Sequence, residues 1–473
     1  MKKLLLILFL FASSLLYSKN IYVSTTGNNG NSGLTELLAK LTIAGGQSIA
    51  VPGDSVIVLN GTYTTTSGQF AYLTAANSGT SGSPITYKAK NKGLAIIDGN
   101  LTTDYGIFCY GVSYINIEGF KFFETKLMCV PITNGANHIN VIDCEFDRNG
   151  KVCTETTYGL DAIYINQSSY LTIERNLFHD IGRLGPSEGG CTPSSVYWMG
   201  HDHGIYCEGG NYVYIQNNVF YNMQRGFSCQ VYSGGGYTTS NFYFINNTCE
   251  NGNYNQTVQG HLVLYGTMVN AVIANNVFKD QYSSAIAVSQ VSYTYTNILI
   301  TKNLCYGGNA VWTNATGLTI TNNYDNTNPL FVDEANHNYA LQSTSPAINV
   351  GYNTGLTTDY LGNARTGTID LGAYEYQSGT TTYYNTIQSG TATRNDCQVG
   401  YYGSTVAYNV SANTYNSTAS QIAADNLAIA DVSANKQAYA NANGTCTVVY
   451  SGHGTIVNRN NVPLTRNNKA ITK

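Results

Sequence analysis

Proline is scarce in this chain, with 8 among 473 residues, and charged residues make up only 11% of it. Tryptophan occurs twice. So little charge excludes a basic stripe for nucleic acid, and the net charge of −4 is not gathered into an acidic tail. Long charged helical patterns are missing as well. No C-x-x-C pair occurs among the 11 cysteines, which argues against a structural zinc site. Beyond the first twenty residues, no run is apolar enough to cross a membrane.

What the chain does contain points to strands. Gly (48) and Tyr (39) are abundant, and Asn, Thr and Ser fill much of the remainder. Turn-formers mixed with β-formers argue for an all-β protein. The opening "MKKLLLILFLFASSLLYSKN" has two lysines, an apolar run and then small or polar residues. It reads as a signal peptide over residues 1–18, cleaved near Ser18, and predicts an exported protein. The run from Leu4 to Leu16 is short for a membrane span. Export permits disulfides, and the odd cysteine count leaves at least one thiol unpaired in the expected monomer.

Internal repeats organise the middle of the chain. "INIEGFKFF", "INVIDCEFD", "LTIERNLFH", "VYIQNNVFY", "FYFINNTCE", "VIANNVFKD", "ILITKNLCY" and "LTITNNYDN" share one pattern. An asparagine column runs through Asn176, Asn218, Asn247, Asn276, Asn303 and Asn323, at intervals of 42, 29, 29, 27 and 20 residues. Two places on stand Phe122, Phe146, Phe178, Phe220, Cys249, Phe278 and Cys305. An apolar column precedes the asparagines: Ile117, Val141, Ile173, Ile215, Phe244, Ile273, Ile300 and Ile320. Short strands repeating at this period predict a parallel β-solenoid, in which like residues stack on like at about 4.8 Å. The Phe and Ile columns would fill the bore. The asparagines would turn in left-handed geometry and bond to their copies.

These rungs resemble right-handed parallel β-helix repeats of the pectate-lyase-like type found in secreted bacterial proteins. "IYVSTTGNNGNSG" and "PGDSVIVLNGTYTTTSG" resemble the opening coils of such proteins, and "DYLGNARTGTIDLGAYEY" resembles their closing segment. The expected β-helix domain, with both caps, covers residues 19–376. A linker follows at 377–382. Residues 383–447 then change character: "SQIAADNLAIADVSANKQAYANANG" carries apolar residues at helical spacing, and Cys397 and Cys446 bracket the unit as a sensible disulfide. This resembles a small C-terminal module of unknown function carried by secreted bacterial proteins, making a small α+β domain before a tail at 448–473. A surface-attachment, carbohydrate-binding or spacer role is open for it.

Polar residues cluster in "HDHGIYCEGGNYVYIQNNVFYN". Twelve residues before the apolar column stand Asp161, His203 and His261, and matching "RGFSC" to "HGIYC" adds Arg225. Four ionisable groups stacked in successive coils are costly unless they face water or pair. Beside them lie His201, Asp202, Tyr206 and Glu208, and an insertion at 182–200 brings Tyr197 and Trp198, whose rings could stack on a sugar. The catalytic set is therefore His203, Arg225, His261 and Asp161, with Asp202, Tyr206, Glu208 and Trp198 binding substrate.

The resemblance implies a polysaccharide lyase acting on an acidic glycan. His203 or His261 would be the base and Arg225 the carboxylate clamp, with Asp161 or Asp202 orienting a histidine or holding calcium. Hydrolysis would instead use a carboxylate pair drawn from Asp161, Asp202 and Glu208. The alternative is a non-catalytic adhesin or glycan-binding protein in which His203 and His261 are turn residues bonded to a neighbouring coil. An H-x-H metal pair at His201 and His203 is a weak signal. Cys207 and Cys229 would stack or pair, Cys153 and Cys191 would tie loops, and Cys249 and Cys305 would fill the core.

Overall fold

The structure is a computed structural model that describes residues 18–153, 159–195, 200–223, 225–252, 260–281, 283–377, 383–418 and 420–448, together with short strand pairs between 458 and 470. Residues 1–17 of the expected signal peptide, Tyr197 and Trp198, most of the expected linker and much of the tail lie outside the described residues. The chain divides into two compact units, residues 1–376 and 377–473.

The first unit winds three parallel sheets of 11, 9 and 9 strands. Each coil contributes one strand to each sheet in turn. Ser169–Glu174 lies in the first sheet, Leu177–His179 in the third and Ile205–Glu208 in the second. The repeat columns are vertical neighbours: Ile173 pairs with Val141 and Ile215, and Phe178 with Phe146 and Phe220. Four phenylalanine rings, Phe122, Phe146, Phe178 and Phe220, stack in the bore at 5.1, 4.6 and 4.6 Å. Cys249 and Cys305 continue that column as buried thiols, as expected of core fillers.

The asparagine ladder forms the corner between the first and third sheets. The Nδ2 of Asn176 donates to Asn218 Oδ1 at 3.0 Å, and the same bond recurs from Asn218 to Asn247, Asn247 to Asn276, Asn276 to Asn303 and Asn303 to Asn323. Each Oδ1 also accepts the backbone N–H of the residue one rung before it, Cys144 for Asn176 and the preceding ladder asparagine for the rest, and each Nδ2 donates to the carbonyl of the apolar column one coil back. One expectation shifts by a residue. The left-handed backbone belongs not to the ladder asparagine but to its predecessor, Asn217, Asn246, Asn275 and Asn322 among them. That predecessor points outward, freeing the ladder amide to face the core.

The closing segment behaves differently from a terminal lid. Residues 331–376 fold back along the outside of the third sheet, burying Phe331, Tyr339, Leu371 and Tyr374 against Val219, Val277 and Leu304. The outward asparagines receive it: Asn217 donates to the Thr358 carbonyl, Asn246 to that of Asp370 and Asn275 to that of Tyr352. Ile320, on the last strand of the first sheet, stays 40% exposed. At the other end, the helix Ile43–Gln47, capped by Thr42, packs Ile43 into the core of the first coils.

The second unit pairs Gln388–Thr393 with Thr405–Val410 in antiparallel register. A 23-residue helix, Gln421–Asn443, carries Ala428 and Val432 against Val410, and Cys397 bonds Cys446.

Replacing Asn247 by alanine removes the acceptor of the buried Asn218 N–H and amide and should cost roughly 3 kcal/mol or more. Asn323→Ala, at the half-buried end of the ladder, should cost about 1 kcal/mol. Denaturant unfolding of the full chain followed by far-ultraviolet circular dichroism measures both. Equal losses would show that the ladder is not a chain of buried bonds.

Candidate functional site

The second sheet turns alternate residues outward, and its outer columns are aromatic. Tyr164 pairs with Tyr206 and Tyr206 with Gln230, while Cys229, not Phe227, pairs with Ile205. The rings of Tyr164 and Tyr206 lie 5.7 Å apart, and those of Tyr206 and Tyr232 lie 6.3 Å apart. They floor a cleft of about 570 Å³, walled by Phe108, Met128 and Pro131 on one side. Gly159, Asp161, Gly200, His201 and His203 enter from the turn that precedes the second sheet. Glu208, at the cleft edge, accepts from Tyr164 Oη at 3.1 Å, Asn166 Nδ2 at 3.1 Å and the Gly235 N–H at 3.0 Å.

Asp161 and His203 are neighbours, as their shared spacing suggested: the His203 N–H donates to Asp161 Oδ1 at 3.0 Å. Burial raises the Asp161 carboxyl well above the usual carboxylate range, with the charge of Asp202 adding to the rise and the His203 N–H opposing it. This raised carboxyl lines the cleft. His203 is also buried. Its Nδ1 accepts from the Phe227 N–H at 3.0 Å, and burial drives its pKa down to about 3. An imidazole with its lone pair engaged and so low a pKa is a poor general base.

The other two members of the expected catalytic set fall elsewhere. Phe227, not Arg225, stacks on His203, with ring centroids 5.2 Å apart. Arg225 pairs with Glu188, and its Nε donates to the Arg183 carbonyl at 3.1 Å. His261 sits one position along from the cleft column and turns into the bore, where its ring stacks on Phe278. Its Nε2 donates to the Lys279 carbonyl at 2.9 Å, its Nδ1 meets Ser228 Oγ at 3.2 Å, and burial lowers its pKa to about 4.

The reason lies in the turns between the second and first sheets. Ile205 and Ile215 are ten residues apart, but Leu262 and Ile273 are eleven and Cys229 and Phe244 fifteen. Counting back from the apolar column therefore slips by one at His261. In the coil of Arg225 the count fails altogether, because "SGGGY" is inserted there. "RGFSC" mimics "HGIYC" for another reason, since a Cβ on Gly226 would collide with the Asp202 carbonyl. Cys207 consequently pairs with Val231 and stays a buried thiol, as does Cys229.

Asp202, expected to touch substrate, is buried against Arg183. It takes Arg183 Nε at 2.9 Å and Nη2 at 2.7 Å, with the Arg183 N–H at 2.8 Å, and both side chains are fully buried. The pair pins the root of the inserted loop, which Cys153–Cys191 ties down further on. Tyr206 and Glu208 do face the cleft, and Trp198 lies outside the described residues. Sequence reasoning missed Tyr164, Gln230 and Tyr232. The repeated "IY" of "DAIYIN" and "HGIYCE" was the available signal for Tyr164.

A second ionisable group lies on the outer face of the third sheet. Glu145, Asp147 and His179 have ligand atoms within 4.8 Å of one another. A cation is already present, because Lys121 Nζ stands 2.6 Å from Glu145 and 2.8 Å from Asp147. Burial alone would lower the His179 pKa, but its bonds to Asp180 and Glu145 prevail and raise it to about 9. The comparable group of Glu250, Asp280 and Glu334 holds Lys279 in the same way.

Two outcomes test this electrostatic reading. Asp202→Ala removes the carboxylate partner of a buried guanidinium and should cost about 3–5 kcal/mol, while the double variant Arg183→Met/Asp202→Leu should cost less than that. Unfolding free energies of the single and double variants measure the difference. His179 contributes stability below its ordinary 6.5 and loses it as pH rises through about 9. Melting temperatures should fall over that window, and the fall should shrink in His179→Gln.

Residues 21–182 match the family described as Pel9A-like, right handed beta helix region, and residues 383–447 match a family of unknown function, DUF5977. No curated protein matches the chain. Among solved structures, pectate lyase Pel9A is similar over 76% of this chain and 97% of its own, at 14% identity and a TM-score of 0.47. A glycoside hydrolase is similar over 65% of this chain and 97% of its own, at 10% identity and a TM-score of 0.41. An alginate lyase from Paenibacillus sp. matches 65% of this chain and 95% of its own, at 15% identity and a TM-score of 0.34. The first unit is a parallel β-helix whose residues 21–182 are similar to the pectate-lyase-like right-handed coil, and the second contains the stretch similar to the family of unknown function.

Proposed function

We propose that this protein is a carbohydrate-active enzyme that cleaves a glycan in the cleft over Asp161, Tyr164, Tyr206, Glu208 and Tyr232. The observation that carries this reading is a buried Asp161, its carboxyl pushed above the usual carboxylate range, that shares an aromatic cleft with the hydrogen-bonded Glu208. Glycoside hydrolysis uses two carboxyl groups in unlike surroundings, the one of raised pKa serving as the acid. Asp161 donates its proton to the departing glycosidic oxygen. Glu208 acts from the other side, on water or on the sugar carbon. Tyrosine faces hold the sugar rings through their apolar sides.

Elimination on an acidic glycan is the second reading, and one observation favours it. His201 lines the cleft mouth, and desolvation lowers its pKa from the ordinary histidine value, which favours the base form. Elimination also needs the uronate carboxylate neutralised. Calcium fits the donors poorly, since burial favours the neutral form of Asp161 and Asp202 is locked to Arg183. No step is therefore assigned to calcium. A non-catalytic glycan-binding protein or adhesin would use the same aromatic floor. Disulfides in both units and the apolar N-terminus support an exported protein.

The two reactions leave different products. Hydrolysis releases reducing ends without ultraviolet absorbance, whereas elimination creates an absorbing double bond. Over a panel of polysaccharides, Asp161→Asn and Glu208→Gln should each lower reducing-end release about 100-fold or more, with circular dichroism unchanged. Absorbing products that depend on His201 would replace hydrolysis by elimination. Glycan binding without either product would leave only the binding role.

A further inference from the structure

The charge of the cleft says which glycan it takes. Among the described residues, neither lysine nor arginine lines it. The segments that adjoin Gly159 and Gly200 in sequence, 154–158 and 196–199, contain neither residue type. The guanidinium groups behind the wall are already committed. Arg183 is fully buried on Asp202, and Arg225 is paired with Glu188. Recognition of a sugar carboxylate normally uses a guanidinium fork, an ammonium or a bound divalent cation. Here the acidic groups are Asp161 and Glu208, and Glu208 would repel an anionic ring directly.

Desolvating a uronate carboxylate in such a place gains no lysine or arginine partner among the described lining residues. Hydroxyl groups, by contrast, find both acceptors and donors in Glu208, Gln230 and Thr133, and apolar sugar faces find Phe108, Tyr164 and Tyr206. We propose that the cleft binds an uncharged glycan and discriminates against uronate polymers because neither lysine nor arginine stands among its described lining residues and Glu208 does. This rests on the reading of the cleft as a glycan site, and it deepens that reading by naming the substrate class. The pectate-lyase-like coil is thereby retained without the charge pattern that an acidic polymer demands.

Affinity electrophoresis of the full chain tests both statements. Gels would carry uncharged polymers (xylan, mannan, glucan, galactan), polygalacturonan and alginate, or the last two after chemical reduction of their carboxylates. Expected is retardation by at least one uncharged or carboxyl-reduced polymer, little changed by added salt and weakened about tenfold or more in Tyr206→Ala. Tyr206→Phe, which keeps the ring, should retain it and guards against misfolding of the alanine variant. Retardation by a native uronate polymer that disappears on carboxyl reduction overturns the inference but leaves the glycan reading standing. Retardation by no polymer of either class overturns both.

Discussion

A primary amide both donates and accepts, so identical copies can be stacked in a buried column with each satisfying the next. The first unit depends on that property. At the corner between the first and third sheets the chain must reverse direction inside the protein, where every unpaired backbone group is costly. Asn176, Asn218, Asn247, Asn276, Asn303 and Asn323 supply the missing partners to the N–H at the turn and to the carbonyl one coil back. The bonds hold only if successive turns are in register. The ladder thereby sets the strand stacking on either side of it, and the phenylalanine column of the third sheet follows.

Uniformity at one corner leaves variation to the others. The turn entering the second sheet runs from Asp180 to Gly204 in one coil and carries the inserted loop, the Arg183–Asp202 pair and the cleft residues His201 and His203. A rigid wall of strands presents Tyr164, Tyr206 and Glu208, and the variable turn presents Asp161. The cleft is built where the two meet. Its chemistry comes from contrast: one carboxyl is stripped of water while another is supplied with three donors.

The same division explains what could be read from the letters. The ladder and the columns beside it were legible because no insertion interrupts the short segment from the apolar column through Asn to Phe. Asp161, His203, Tyr206 and Glu208 were legible because the two coils that carry them are alike from Ile163 to Asn176 and from Ile205 to Asn218. His261 was not, because one extra residue in a turn exchanges a cleft-facing position for a bore-facing one, and Arg225 was not, because "SGGGY" is inserted in its coil. His179 escaped notice altogether, since a histidine after "LF" looks like any strand residue until Glu145 and Asp147 are placed beneath it. The role of Asp202 was hidden for a similar reason, as a buried ion pair and a substrate ligand use the same letter.

The segment that folds back along the third sheet grips three successive coils through Asn217, Asn246 and Asn275. Its attachment points are spaced like the teeth of a rack, one coil apart. Duplication of a coil within that stretch would pull Thr358, Asp370 and Tyr352 out of step with their amides all at once. Solenoids ordinarily lengthen by copying units anywhere along their axis. A coil added upstream of the gripped ones would leave these contacts in step, so the strap matches the number of coils it covers.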